Sequence, residues 1–293
     1  MLGKALVCLL SEKQEVTAIS KSGREGTVAC DLANEKALEA LFGSTVFGLV
    51  IHTAAYSDVD GCEQDPGLAH TSNAVATKIL SRFCGLKKIP LIYVSTDYVF
   101  DGRKNSPYVE SDRTGPVNIY GLTKLEGEHY ARIFSAVSVI VRTSWLFGSG
   151  NPKNFVNVIA ERLRREKNVR VLDDQEDAPT YVKDLAEALE RIGAHLISLS
   201  KKNPDARFQE IFHVCNAGHA TRLGMTLKIK EVLGLKNVSV QRMDRSEIQN
   251  RVAVRPAYAV MSTRRYEDFF HCRMRPWEES LKEYLNAGAV CVS

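Results

Sequence analysis

Short apolar runs rich in β-branched residues alternate with amphipathic stretches from the start of the chain to about residue 190. The apolar runs predict strands, because each ends at a segment rich in Ser, Thr, Gly, Asp or Asn. The predicted strands are Glu15–Ser20, Phe47–Thr53, Ile89–Ser95, Ser138–Thr143 and Val169–Leu172. The stretches between them have apolar positions at helical spacing, and the predicted helices are Ala33–Phe42, Ala69–Cys84, Ile119–Phe134, Asn154–Glu166 and Val182–Ile192.

This alternation indicates an α/β fold, a Rossmann-type doubly wound parallel sheet with helices on both faces. Ligands of such sheets bind at the carboxyl ends of the strands. After about Leu146 the pattern changes to a smaller mixed α/β region. Its predicted strands lie near Ile211–Cys215 and Val238–Arg242, and its predicted helices lie near Arg222–Leu233 and Trp277–Leu285. We predict a nucleotide-binding domain in residues 1–146 and a substrate-binding region in residues 147–293.

The amino end of the chain reads as a helix, because positions 2, 5, 6, 9 and 10 are apolar. A dinucleotide-binding sheet opens instead on an apolar strand and a glycine-rich turn, and the next helix directs its N-terminus at the pyrophosphate. Here the only nearby glycine is Gly3, and the strand and most of the turn do not occur in the 293 residues. We expect in-frame upstream codons to encode them and the 293-residue form to bind a dinucleotide weakly. A genuine truncation would leave a regulatory or decayed protein.

Composition excludes several classes of protein. The 39 basic and 35 acidic residues give a net charge of only +4, which is not typical of a nucleic-acid binder or a polybasic membrane binder. The seven cysteines include no C-x-x-C pair, so neither a disulfide framework nor a zinc site is indicated. No apolar run approaches the ~20 residues that a membrane-spanning helix needs. We therefore expect a cytoplasmic protein with no metal and with neither nucleic acid nor a membrane as a partner.

The strongest chemical signal is a tyrosine and a lysine at the start of a predicted helix. Tyr120 and Lys124 are four residues apart, so their side chains share a helix face. In that position the Lys124 ammonium lowers the pKa of the Tyr120 phenol and binds a ribose hydroxyl. Such a phenol suits the general acid for a carbonyl oxygen that receives a hydride. Thr96 ends the preceding strand and can hydrogen-bond the same oxygen, and the arrangement resembles that of short-chain dehydrogenases/reductases.

Further motifs resemble one family of extended short-chain reductases, the dTDP-4-dehydrorhamnose reductases. The resemblance runs from Gly3 to about Leu285. It implies NADPH-dependent reduction of dTDP-4-dehydro-L-rhamnose to dTDP-L-rhamnose. The motifs are Val50–Glu63, Asn73–Ala74, Tyr93–Gly102, Arg142–Gly148, Asn154–Val156, Asp174–Gln175 with Ala178–Thr180, Arg255–Pro256 and Arg275–Trp277.

The resemblance also implies roles for individual residues. The catalytic set is Thr96, Tyr120 and Lys124. The residues implied to hold the sugar are Thr96 together with Tyr98, Trp145, Ser57 and Val59. The residues implied to bind the cofactor are Gly3, Ser20, Lys21, Asp31, Ala54, Ala55, Asn73, Ser95, Tyr120 and Lys124.

The end of the predicted strand Glu15–Ser20 bears on the choice between NADPH and NADH. Ser20, Lys21 and Arg24 lie just beyond it, where a basic side chain can contact the 2′-phosphate of NADP. No acidic residue stands at that strand end to bind the ribose diol. This favours NADPH and leaves NADH as the alternative.

Two residues depart from the family pattern. Asp177 stands where the family usually has glycine, and His52 replaces the commoner asparagine, which we interpret as a structural substitution.

Two functions other than this reductase activity stay open. The first alternative is a binding protein similar to the regulatory beta subunit of methionine adenosyltransferase. The second is a reductase of another nucleotide-linked keto sugar. The oligomeric state is open, with a homodimer as one arrangement.

Overall fold

The computed structural model describes residues 1–24, 26–243, 247 and 252–288. Its strands are β1 (Ile19–Ser20), β2 (Val28–Ala29), β3 (Val50–His52), β4 (Leu91–Thr96), β5 (Val137–Thr143), β6 (Leu146–Phe147), β7 (Asn168–Leu172), β8 (Glu176–Asp177), β9 (Thr180–Tyr181), β10 (Phe208–His213), β11 (Ala220–Thr221) and β12 (Ser239–Met243). Its α-helices are α1 (Leu2–Leu10), α2 (Glu35–Ser44), α3 (Val59–Gln64), α4 (Pro66–Ala69), α5 (Ala76–Leu86), α6 (Ile119–Phe134), α7 (Phe155–Arg165), α8 (Val182–Lys202), α9 (Arg222–Val232), α10 (Arg264–Phe270) and α11 (Trp277–Asn286). A π-helical turn, His70–Val75, joins α4 to α5, and a 3₁₀ turn, Asp97–Val99, follows β4.

The main sheet has four parallel strands in the order β10-β5-β4-β3. All six residues of β4 are buried, and so are all but the first residue of β5. Strands buried on both faces have nearly continuous apolar sequences, and this is why periodicity of two is absent from these runs. The predicted α/β fold with a parallel sheet is confirmed.

Helices cover both faces of this sheet. On one face Leu2 and Leu6 of α1 and Leu189 of α8 pack in the same cluster as Ile92 and Val139. On the other face α2, α5 and α6 contribute Leu38, Leu80 and Ala131 to a cluster that contains Tyr93 and Ile140. The predicted opening helix is therefore real and lies against the sheet. Among the described helices, none combines the length and apolar character needed to cross a bilayer.

In the part of the chain that the structure describes, the remaining strands form four separate pairs. β1 pairs with β2 in parallel, and among the described residues no ladder joins this pair to β3. The segment Val169–Leu172, which the apolar pattern assigns to the main sheet, pairs instead with β12, so that placement was wrong. An apolar run shows that a strand is buried but does not identify its partner.

The fourth strand of the main sheet comes from the second half of the chain. β10 pairs with β5 over Phe208–His213, and α8 packs on the same sheet. Residues after 146 therefore complete the sheet that residues before 146 begin. The division of function at residues 146 and 147 stays a prediction.

Helix α6 begins where the sequence predicts, because Asn118 caps it. The Asn118 side chain accepts a hydrogen bond from the Gly121 N–H at 2.8 Å. Two glycines let α6 approach β4 and its turn closely. A Cβ atom on Gly121 would lie 2.1 Å from the Tyr98 carbonyl oxygen, and one on Gly127 would lie 2.3 Å from the Tyr93 hydroxyl.

Substitution of Gly121 by Ala should destabilise the protein, because the added methyl group cannot fit against the Tyr98 carbonyl. Overpacking of this kind costs roughly 1–3 kcal/mol of unfolding free energy. Gly43→Ala is the matched control, since Gly43 also lies in a helix but has open space around its Cβ position. We expect urea denaturation to show a lower midpoint for Gly121→Ala and an equal or higher one for Gly43→Ala. Equal stability of the two variants would contradict the close approach.

Candidate active site

The candidate site lies at the carboxyl edge of the main sheet. Thr96 is the last residue of β4, and Tyr120 lies in the first turn of α6. Trp145 follows β5, and Ala54 with Ala55 follows β3. Because parallel strands end at one edge, residues distant in sequence meet here.

The Tyr120 phenol lies among polar groups from the β4 turn. The Tyr98 ring packs edge-on against the Tyr120 ring, with ring centroids 5.9 Å apart, and Thr96 ends the strand that leads into this turn. Burial raises the pKa of Tyr120 well above its ordinary value, and the Asp97 carboxylate adds to this. The prediction of a lowered pKa for Tyr120 is wrong for this arrangement, because burial and the Asp97 carboxylate raise that pKa. Tyr120 is therefore a neutral phenol at physiological pH.

The Lys124 ammonium is turned inward, toward β4. Its Nζ donates a hydrogen bond to the Val94 carbonyl at 2.7 Å and lies 4.1 Å from the centre of the Tyr93 ring. Only 2% of the residue is exposed. Burial lowers the pKa of Lys124 to about 7, although the Glu128 carboxylate opposes the shift. The lysine is thus poised between charged and neutral forms near neutral pH.

A buried ion pair fixes α6 against the sheet. Glu128 and Arg142 form two hydrogen bonds, Nε to Oε1 at 2.9 Å and Nη2 to Oε2 at 2.7 Å, and both side chains are almost fully buried. The Ser95 hydroxyl donates to the same Oε1 at 2.6 Å. Ser95, expected to contact the cofactor, therefore has its side chain engaged with Glu128.

The residues expected to bind the cofactor divide into two groups. Lys21 forms an ion pair with Asp31 at 2.9 Å, and this contact lowers the pKa of the Asp31 carboxyl. The Ser20 hydroxyl accepts the Gly23 N–H at 3.0 Å, so these residues form one cluster beyond β1. A second cluster lies near β3, where a Cβ atom on Gly3 would lie 3.5 Å from the Thr53 hydroxyl. Ala54 and Ala55 are exposed there.

Asn73 and His52 have structural partners. The Asn73 amide accepts the Tyr56 N–H at 2.8 Å and donates to the Tyr56 carbonyl at 3.1 Å and to the Thr123 hydroxyl at 3.1 Å. It therefore holds the segment after Ala55 against α6. His52 is buried with Nε2 3.0 Å from the Thr77 hydroxyl, and burial lowers its pKa to about 3. This agrees with a structural histidine.

The expected sugar-holding aromatics are linked by two residues that sequence reasoning did not assign. The Gln175 amide donates to the Tyr98 hydroxyl at 3.3 Å and accepts from Arg222 Nη2 at 3.3 Å. The Arg222 guanidinium lies 5.8 Å from the centre of the Trp145 ring and 5.5 Å from that of Phe155. Gln175 falls in a family motif and could have been found, but an arginine that opens α9 carries no local signal.

Trp145 is half-buried and has a positive φ of 40°, which is uncommon for a bulky residue. Strained backbone of this kind clusters at functional sites. Trp145 also packs against the hydrophobic cluster that contains Phe147 and Val156, so its role in holding the sugar stays a prediction.

The other two residues expected near the sugar lie at the start of α3. Ser57 is exposed, and Val59 is the first residue of that helix. The next residue, Asp60, forms a bidentate ion pair with Arg255 at 3.0 and 2.6 Å. The Asn118 amide donates to the Val254 carbonyl at 2.8 Å, so the segment around Arg255 joins α3 to the start of α6.

The chemistry of the donor set fits a phosphorylated dinucleotide. The Lys21 ammonium is exposed at the carboxyl end of β1, the small exposed residues Ala54 and Ala55 leave space after β3, and Lys124 lies beside β4. Lys21 can supply a cation for a phosphate, and Ala54 with Ala55 can supply an apolar surface, whereas the Lys124 ammonium is turned toward the Val94 carbonyl. The cofactor contacts of these residues stay predictions.

Comparison with known proteins agrees with this geometry. The family model for the RmlD substrate binding domain matches residues 1–290. The dTDP-4-dehydrorhamnose reductase of Mycolicibacterium smegmatis is 34% identical over 259 residues, which are 88% of this chain and 75% of that protein. The solved structure of the Clostridium acetobutylicum dTDP-4-dehydrorhamnose reductase is 30% identical, with a TM-score of 0.85 over 98% of this chain and 95% of the other.

The solved structure of the dTDP-4-dehydrorhamnose reductase from Bacillus anthracis was determined in complex with NADP. It is 28% identical and has a TM-score of 0.86, covering 98% of this chain and 94% of the other. The fold, the residues gathered at the sheet edge and these matches agree over nearly the whole chain, and the protein belongs to the dTDP-4-dehydrorhamnose reductase family.

Proposed function

We propose that this protein uses NADPH to reduce the C4 keto group of dTDP-4-dehydro-L-rhamnose, giving dTDP-L-rhamnose. The observation that carries the proposal is the position of two hydroxyl-bearing residues at the sheet edge: Thr96 ends β4, and Tyr120 lies in the first turn of α6 against the ring of Tyr98. A carbonyl oxygen placed between them receives two hydrogen bonds. The names of the matched reductases supply the substrate class.

The chain's own residues handle the proton of this reaction. NADPH, when bound, supplies a hydride to the carbonyl carbon. Tyr120 is neutral and donates its phenolic proton to the carbonyl oxygen, while Thr96 hydrogen-bonds the same oxygen. The raised pKa of Tyr120 keeps the proton on the phenol until negative charge develops on that oxygen.

Other side chains hold NADPH and the sugar substrate. In this proposal Lys124 contacts the nicotinamide ribose, and Lys21 with Arg24 contacts the 2′-phosphate, so we expect a preference for NADPH over NADH. Tyr98 and Trp145 supply aromatic faces that pack against the deoxysugar and its methyl group. Arg222 and Gln175 fix those two rings relative to each other.

The two alternative functions predict different partner binding and different NADPH oxidation. A regulatory protein would keep the fold and bind an adenosyltransferase without turnover of a keto sugar. A reductase of another nucleotide-linked keto sugar would oxidise NADPH only with that sugar. A homodimer in the cytoplasm is the assembly and setting that we propose.

The first test of the reductase is NADPH oxidation, followed at 340 nm, with the dTDP-linked 4-keto sugar as substrate and the wild type compared with Tyr120→Phe. The substitution removes the proton donor and little else, so kcat should fall about 10²- to 10⁴-fold with nearly unchanged NADPH binding. Tyr130→Phe is the matched control, since this second tyrosine of α6 lies beside Phe134 and Lys78. We expect it to keep full activity. More than a third of the wild-type kcat in Tyr120→Phe would remove Tyr120 from the mechanism.

The second test measures what the buried Lys124 ammonium does to stability. Its folded pKa of about 7 lies below the unfolded value of 10.5, so the unfolded chain holds more protons between these two values. This lysine therefore makes the wild type more stable as pH rises, and Lys124→Met loses that dependence. Between pH 7 and pH 9 the unfolding free energy of the wild type should rise by roughly 2 kcal/mol more than that of Lys124→Met.

Urea denaturation of the cofactor-free protein at the two pH values checks this. The exposed lysine variant Lys87→Met controls for the loss of one lysine, and we expect it to follow the wild type. A pH-independent difference between the wild type and Lys124→Met would show that Lys124 is not buried as described.

A further inference from the structure

A buried carboxyl with an unpartnered oxygen belongs to the segment beside the proposed sugar pocket. Asp177 is 5% exposed, and within the part of the chain that the structure describes its Oδ1 is buried and has no hydrogen-bond partner. Burial of a carboxyl without a hydrogen bond is costly, and such groups are rare in native proteins. The structure therefore points to a partner that is not part of the described chain.

The segment that carries Asp177 runs from Tyr98 to Trp145. At its start the Gln175 amide donates to the Tyr98 hydroxyl at 3.3 Å. At its end the Thr180 N–H donates to the Trp145 carbonyl at 3.2 Å. Asp177 lies between these two contacts. The unpartnered carboxyl is thus carried by the segment that joins the two aromatic residues proposed to hold the sugar.

The direction of the Asp177 side chain follows from its neighbours on β8. Successive side chains of an extended strand point to opposite faces. The Gln175 side chain reaches the Tyr98 hydroxyl, whereas Glu176 Oε1 lies 3.0 Å from His219 Nε2, beside a separate cavity. Asp177 comes next along the strand and so shares the direction of Gln175, toward the proposed pocket.

The chemistry around Asp177 suits a sugar hydroxyl. Tyr98 and Trp145 supply aromatic faces, and the Arg222 guanidinium lies 5.8 Å from the centre of the Trp145 ring. Small-ligand sites combine such apolar surface with a few polar groups that fix orientation. Burial raises the pKa of the Asp177 carboxyl well above its ordinary value, although Arg222 opposes the shift. A hydroxyl both donates and accepts, so it satisfies the carboxyl in either protonation state.

We propose that Asp177 hydrogen-bonds a ring hydroxyl of the keto sugar and is a specificity-determining residue of the reduction. This inference rests on the proposed function. The candidate hydroxyls of dTDP-4-dehydro-L-rhamnose are those on C2 and C3. Asp177 stands where the family usually has glycine, which has no side chain, so the contact distinguishes this chain from relatives with the usual pattern.

The first test measures NADPH oxidation by the full chain with three substrates: dTDP-4-dehydro-L-rhamnose, its 2-deoxy analogue and its 3-deoxy analogue. For the wild type, kcat/KM with the parent sugar should exceed that with one analogue by about 100-fold, because the missing hydroxyl leaves the carboxyl buried and unpartnered. The analogue that is rejected identifies the hydroxyl.

The same ratio in Asp177→Ala should fall below about tenfold, because the parent sugar then lacks the same contact as the analogue. Any change in the intrinsic reactivity of the analogue is common to the wild type and the variant. Glu176→Ala is the matched control, since this neighbouring side chain contacts His219, and it should keep the wild-type ratio. Equal use of all three sugars by the wild type, or an unchanged ratio in Asp177→Ala, would overturn the inference.

Calorimetric titration of dTDP-L-rhamnose in the presence of NADP⁺ does not depend on turnover. Asp177→Ala should bind this product about tenfold more weakly than the wild type, and Glu176→Ala should bind it equally well. Absence of turnover in the wild type with this difference in binding would overturn the proposed function alone. Equal binding by the wild type and both variants would overturn the inference.

Thermal unfolding of the substrate-free protein separates a ligand contact from a structural role. Asp177→Asn keeps the shape of the side chain, and its Tm should equal or exceed that of the wild type, because a buried group without a partner stabilises nothing. A lower Tm would show that the carboxyl has a partner within the fold and would overturn the inference. If Asp177→Ala does not fold, Asp177→Gly, which carries the family's usual residue, takes its place in the kinetics and the calorimetry.

Discussion

The buried ion pair between Glu128 and Arg142 is the constraint on which the site depends. It joins α6 to β5, and the Ser95 hydroxyl ties the same carboxylate to β4. A buried ion pair is tolerated only when its geometry is good and further hydrogen bonds satisfy it, and removal of one partner leaves an uncompensated charge. Because Thr96 follows Ser95 and Tyr120 lies two turns before Glu128 on α6, this pair sets the distance between the two proposed catalytic hydroxyls.

The same packing explains the electrostatics of the site. Gly121 and Gly127 let α6 lie so close to β4 that the Lys124 ammonium reaches the Val94 carbonyl and the Tyr93 ring. Burial then favours the neutral forms of Lys124, Tyr120 and Asp97. A site with few stable charges suits a reaction in which negative charge appears briefly on one oxygen.

Sequence patterns predicted what is local and missed what depends on distant partners. The bounds of α6 were predicted correctly, because the Asn118 cap and the apolar spacing lie within the helix itself. The partner of Val169–Leu172 was wrong, since an apolar run contains no information about pairing. The predicted lowering of the Tyr120 pKa was also wrong, because the direction of the Lys124 side chain depends on a strand about 30 residues away. Arg222 carried no signal, since its partners Gln175 and Trp145 are distant in sequence.

The central claim is that Thr96 and Tyr120 together hold the oxygen that becomes the C4 hydroxyl. A crystal structure of the full chain with NADP⁺ and dTDP-L-rhamnose tests it most directly. Our account predicts the C4 oxygen within hydrogen-bond distance, about 2.6–3.2 Å, of both side-chain hydroxyls, with the sugar against Tyr98 and Trp145. A C4 oxygen that contacts neither hydroxyl, with the sugar bound elsewhere on the sheet edge, would contradict it.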